Sequence, residues 1–156
     1  MHTRLLSPVR RIVSLLVLAG FALAAMARAE EGAITFYVQL IRGTDDEQAP
    51  APGSKRVGPK LADTFHAVFK WRRYWEISRK EVAVAPGHRA KVRLTNERAV
   101  VIDLTDPKTR KVTVFQKGEL VERTTGPVGE AMTLTGGDRD RQSAWFIAVR
   151  RDKPKD

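Results

Sequence analysis

The sequence predicts a β-rich α+β fold: an antiparallel β-sandwich or barrel-like domain with one short helix between its first two strands. Three observations carry this expectation. Beyond residue 33 the chain breaks into short segments of alternating apolar and polar residues, divided roughly every 8–12 residues by Gly, Pro or Asn turns. A single stretch has helical period, with Leu61, Phe65, Val68 and Phe69 at i, i+4, i+7 and i+8. The 156 residues include no cysteine, so an apolar core rather than disulfides must hold the fold.

Residues 1–29 read as a cleaved secretory signal peptide. Arg4, Arg10 and Arg11 precede an apolar run from Ile12 to Met26, and Ala27-Arg28-Ala29 supplies a small-x-small cleavage site. The run falls short of the roughly 20 apolar residues that span a bilayer, and polar sequence follows at once. The expectation is a chain exported to the periplasm or the extracellular space, with no transmembrane segment after cleavage. Four of the 28 basic residues and none of the 18 acidic ones lie in this segment, so the net charge falls from +10 to +6 in the mature chain. Residues 30–156 are expected to form one β-rich domain whose basic surface favours anionic partners.

The domain opens with a strand over 34–42, in which Ile34, Phe36, Val38 and Leu40 alternate with Thr35, Tyr37 and Gln39. Residues 43–59 start acidic, turn rich in Pro and Gly, and end basic with no apolar period, which predicts a flexible loop. Pro59 suits the first turn of the following helix, where its missing N–H would be unpaired anyway. From Phe69 the period becomes two. Phe69, Trp71, Trp75 and Ile77 are expected to face a core, with Arg73 among them, while Lys70, Arg72, Tyr74, Glu76 and Ser78 face outward.

Short strands follow over 81–85, 90–95, 99–104, 111–116 and 120–124, the last two joined at Lys117-Gly118 as a hairpin. A strand over 131–135 leads into a loop of Gly136-Gly137 and the charged run 138–141. The last strand, 144–150, is apolar on both faces, which predicts a position inside a sheet; the charged tail 151–156 is expected to fray.

Catalytic patterns are missing. His66 and His88 lie outside any metal-spacing motif, and Ser54, Ser78 and Ser143 outside any nucleophile motif; no phosphate loop or dinucleotide fingerprint occurs. No cofactor and no metal are therefore expected. The carboxylates fall in turns, at Asp45-Asp46-Glu47, Asp103, Asp106, Asp138 and Asp140. Arg139 and Arg141 interleave with the last pair, against a calcium loop. The best candidate for binding is the basic-aromatic stretch, with Lys70, Arg72, Arg73, Tyr74, Arg79 and Lys80 as its residues. Cations there can hold phosphates or acidic glycans, and an exposed ring can stack.

The segment Glu130-Ala-Met-Thr-Leu-Thr-Gly-Gly-Asp, followed by an apolar strand, resembles the endings of repeats in outer-membrane secretion channels. The leading expectation is an exported, non-enzymatic binding domain whose partner is an envelope protein or an anionic polymer; export disfavours nucleic acid. Accessory membership of a secretion assembly and a carboxylate-based glycan hydrolase are the two alternatives.

Overall fold

The alternation that begins at Ile34 is realised as β1 (Ile34–Thr44), the middle strand of a five-stranded antiparallel sheet in the computed structural model. The structure describes residues 32–139 and 141–155, the side chains of 137–139 excepted; the expected signal segment and the charged residue Asp140 lie outside the described residues. The remaining elements are β2 (Lys55–Arg56), α1 (Pro59–His66), β3 (Arg73–Val84), β4 (Arg89–Arg93), β5 (Arg98–Asp103), β6 (Thr109–Gln116), β7 (Glu119–Pro127), β8 (Met132–Arg139) and β9 (Ser143–Arg150). The first sheet runs β2-β3-β1-β9-β8 and the second, four-stranded, β4-β5-β6-β7, every pairing being antiparallel. This is the β-sandwich-like α+β fold the sequence predicts.

Two cores hold it. Phe36, Val38, Leu40, Ile147 and Val149 from the first sheet meet Val92, Val100, Ile102, Val112 and Val114 from the second, all of them nearly sealed from solvent. The reverse face of the first sheet is covered by α1, where Leu61 and Phe65 pack with Ile41, Val57, Trp71, Tyr74 and Phe146. β9 lies between β1 and β8 and feeds both cores, Ile147 and Val149 one, Ala144, Phe146 and Ala148 the other, which is why its sequence is apolar throughout.

Four local expectations are corrected. The helix ends at His66 with Ala67 as its cap, so Val68 leaves the apolar stripe and stands 71% exposed. Phe69 folds back instead onto Phe146, 4.5 Å between ring centroids. The tryptophan strand starts at Arg73, not Phe69, and carries a bulge: Leu40 faces Ser78 and Ile41 faces Glu76, leaving Ile77 unpaired. The bulge shifts the alternation only from Ser78 onward; ahead of it, both faces of this sheet are covered. Tyr74 and Glu76, expected outward, are therefore buried on the helix side. β8 runs on through Gly136 to Arg139, with an irregularity in its pairing, where a loop was expected. Within residues 43–59, β2 pairs with β3 through Lys55↔Glu76 and Arg56↔Trp75. The helix thus follows a two-residue strand as well as β1.

Candidate binding site

The six residues singled out in the sequence do not converge. Tyr74 is 2% exposed, its ring 4.8 Å from Phe65 and its hydroxyl 3.4 Å from the carbonyls of Phe65 and Phe69. Burial pushes that hydroxyl above the ordinary tyrosine pKa. Arg79 is engaged by Glu76, with 2.9 Å between Nη2 and Oε2. Glu76 in turn accepts a hydrogen bond from the buried Gln39 amide. Lys70 and Lys80 are exposed, Lys70 with its ammonium 4.6 Å from the Trp71 ring. Arg72 and Arg73 face the acidic run. The Arg72 N–H donates to Asp45 Oδ1 (3.0 Å), and the Arg73 guanidinium donates to the Asp45 carbonyl and to Glu47 Oε1, both at 2.6 Å. Arg73 thus ties the acidic start of the long connection to β3.

The register assembles a different group. Arg56 on β2 lies beside Trp75 on β3, Trp75 beside Arg42 on β1, and Arg42 beside Trp145 on β9. Residues opposite one another in a sheet share a face, so these four form one row across four strands. It sits two residues past Leu40 and Ile147 on the sandwich-facing side, at the end of the core. The guanidinium of Arg56 stacks 4.2 Å above Trp75. Those of Arg42 and Arg98, the latter from β5 in the opposite sheet, lie 5.4 and 4.8 Å from Trp145.

Stacking on an indole holds a guanidinium plane in place and shields its faces, while leaving its N–H edge available for oxyanions. Two donors in the row, Arg42 Nε and Trp75 Nε1, are buried and have no acceptor among the described residues. A buried donor without an acceptor costs free energy, and such groups are uncommon in native folds. Beside Arg42 opens a cleft of about 560 Å³, walled by Thr44, Asp46, Glu47, Gln48, Ala49 and Pro50. Its acidic wall is partly neutralised, because Glu47 is paired with Arg73.

No family model, curated protein or solved structure matches this chain. Among the described residues there is no group of three or more His, Cys, Asp or Glu placed to hold a metal, and no helix long and apolar enough to cross a membrane. His88 meets the Pro86 carbonyl at 3.1 Å in a turn, and His66 sits against the Tyr74 ring at the exposed end of α1. Asp103 and Asp106 fold onto their own turns, at Thr105 and Lys108.

Sequence reading missed Arg42, Arg56, Arg98 and Trp145 as a site because they come from four separate segments. One signal was there. Arg42 extends the apolar alternation that ends at Leu40, and Arg98 precedes the one that begins at Val100, so each strand placed a cation in phase with the core.

Proposed function

We propose that this chain is an exported, non-enzymatic binding domain of the cell envelope or exterior, and that it holds an anionic polymer at the arginine–tryptophan row. The observation that carries the reading is the alternation Arg56–Trp75–Arg42–Trp145, with Arg98 closing over it from the second sheet. Guanidinium edges spaced across neighbouring strands suit a ligand that repeats its carboxylate, sulfate or phosphate groups, each able to accept two parallel N–H bonds. The signal-like N-terminus and the positive charge of the mature chain agree with an acidic envelope polymer as that ligand.

The test is titration of fluorescently labelled heparin, and separately of labelled inorganic polyphosphate, with the protein, read by fluorescence anisotropy. Binding is expected at low salt, falling steeply as salt rises, because condensed counterions are released. Arg42→Gln with Arg56→Gln is expected to weaken it at least about tenfold, since each substitution removes a charge-assisted hydrogen bond to the polymer. Unchanged affinity in that double variant, or no binding at low salt, overturns the reading. Recovery of a stoichiometric protein from cross-linked cells, with no polymer affinity, would favour an envelope protein as the partner.

A further inference from the structure

The outer face of the four-stranded sheet carries a second charge pattern, independent of the arginine–tryptophan row. The register lines up three ranks across it: Arg89, Asp103, Lys111 and Thr125; then Lys91, Val101, Thr113 and Arg123; then Arg93, Ala99, Phe115 and Leu120. Within these ranks five cations share one face with a single acid. That acid is already engaged: hydrogen bonds from Thr105 hold the Asp103 carboxyl below its ordinary range, helped by Arg89 and Lys111. All five cations are exposed.

At one end the face becomes apolar. β7 bulges opposite Val114 and Phe115, leaving Val121 unpaired, so that Leu120 and Val121 stand 51% and 39% exposed just after the Lys117-Gly118 turn. Phe115 is half-buried beside them, with the Lys91 ammonium 5.7 Å from its ring. Glu97 and Glu119 also lie at this end, Glu97 within 3.9 Å of Lys117. A soluble polyanion has use for the cations but none for exposed aliphatic side chains. An anionic bilayer takes both, with headgroups meeting the cations and the apolar side chains entering the acyl boundary.

We propose that this face docks on an anionic lipid surface, with Leu120 and Val121 as its inserting tip. The cysteine-free chain allows a direct test in the mature protein, residues 30–156: Leu120→Cys, labelled with an environment-sensitive NBD dye, mixed with phosphatidylglycerol or phosphatidylcholine vesicles. A dye at this position reads insertion of the face itself, whatever else holds the protein to the vesicle. A blue shift and brightening with phosphatidylglycerol, absent with phosphatidylcholine, is the expected result. Lys91→Gln with Arg123→Gln should weaken the response about 25-fold, at about fivefold per cation near an anionic surface. Both side chains are exposed, and a matching urea midpoint verifies that the double variant is folded.

Val68→Cys is the control, since Val68 is more exposed but lies after α1, away from this sheet. No shift with phosphatidylglycerol overturns the proposal, as does an equal shift with phosphatidylcholine or an equal shift at position 68. A shift produced equally by soluble polyphosphate overturns it in favour of a polymer-binding face.

Discussion

Among the described residues Arg110 is the largest side chain sealed completely from solvent, and replacing it tests what closes one end of the sandwich. It precedes Val112 and Val114 on the core-facing side of β6 and reaches the first sheet at β8. Its Nε and Nη2 donate to Thr133 Oγ1 and its Nη1 to the Glu130 carbonyl at 3.0 Å, while the Glu130 carboxylate lies 3.5 Å away. The plane stands 5.4 Å from the Phe36 ring. Burial lowers its pKa, opposed by Glu130, yet a guanidinium remains charged at any pH a folded protein meets.

Two acceptors are satisfied by a charged donor, which is about 3–6 kcal/mol gross at 1.5–3 kcal/mol each. Taking the guanidinium out of water offsets several kcal/mol of that. Arg110→Ala loses these bonds and the packing of the stem, and about 3–5 kcal/mol of destabilisation is expected. Arg110→Met keeps most of the stem and removes the desolvation cost, so a loss of only about 1–2 kcal/mol is expected from the orphaned Thr133 and Glu130 acceptors. Urea unfolding followed by tryptophan fluorescence measures both, read as a shift of midpoint at constant slope. A methionine variant at least as stable as wild type would refute the reasoning, because it would mean that desolvation outweighs every bond the guanidinium makes.

Two further outcomes follow from the second core. A Cβ at Gly43 would come within 2.7 Å of Trp71 Cδ1 and 3.1 Å of Phe146 Cε2, so Gly43→Ala must displace a buried tryptophan. A loss of about 1–3 kcal/mol and an altered emission maximum are expected; an unchanged urea midpoint would contradict the packing. The raised pKa of Tyr74 makes stability depend on alkaline pH. The folded state keeps its proton where the unfolded chain, with a pKa near 10.0, has lost it; the Tyr74 contribution is therefore complete below pH 10 and declines as pH rises through the folded value. Tyr74→Phe should remove that part of the decline while costing less than about 1 kcal/mol at neutral pH, given hydroxyl contacts at 3.4 Å. Urea midpoints of the two proteins measured from pH 8 to 11 check it, and parallel curves would count against a buried hydroxyl.

Alternation alone was enough to locate β1, β6 and the two-faced β9, because in each the pleat stays regular along the apolar run, and the Lys117-Gly118 turn marked the hairpin to β7 despite the bulge at Val121. It failed at Tyr74 for a definite reason. Tyr74 keeps its phase opposite Trp75, ahead of the bulge at Ile77, but α1 buries the side that would otherwise be wet, so period two no longer separates inside from outside. Val68 was misplaced because stripes say where a helix would bury residues, not where it stops; the helix ends at His66, and Phe69 rather than Val68 reaches the core, at Phe146. The arginine–tryptophan row was out of reach for another reason. It depends on the register between β2, β3, β1 and β9, and register is a property of strand pairs.

The sandwich places arginines on core-facing positions at both ends, in contrasting surroundings. Arg98 and Arg110 lie at opposite ends of the β5–β6 pair, each in phase with the buried valines that follow it. At the Arg110 end the guanidinium is fully enclosed and meets oxygens supplied by the chain itself, so a ligand has nothing to complete. At the Arg98 end three guanidinium planes are stacked on Trp145 and Trp75. Arg42 and Trp75 keep buried donors there with no acceptor among the described residues, beside an open cleft. Stacking orients the Arg42 guanidinium at little cost to its hydrogen-bonding capacity, whereas Arg110 has committed its own. The same residue type in the same phase of the pleat therefore clamps two sheets at one end and, at the other, stands stacked on indole rings beside an open cleft.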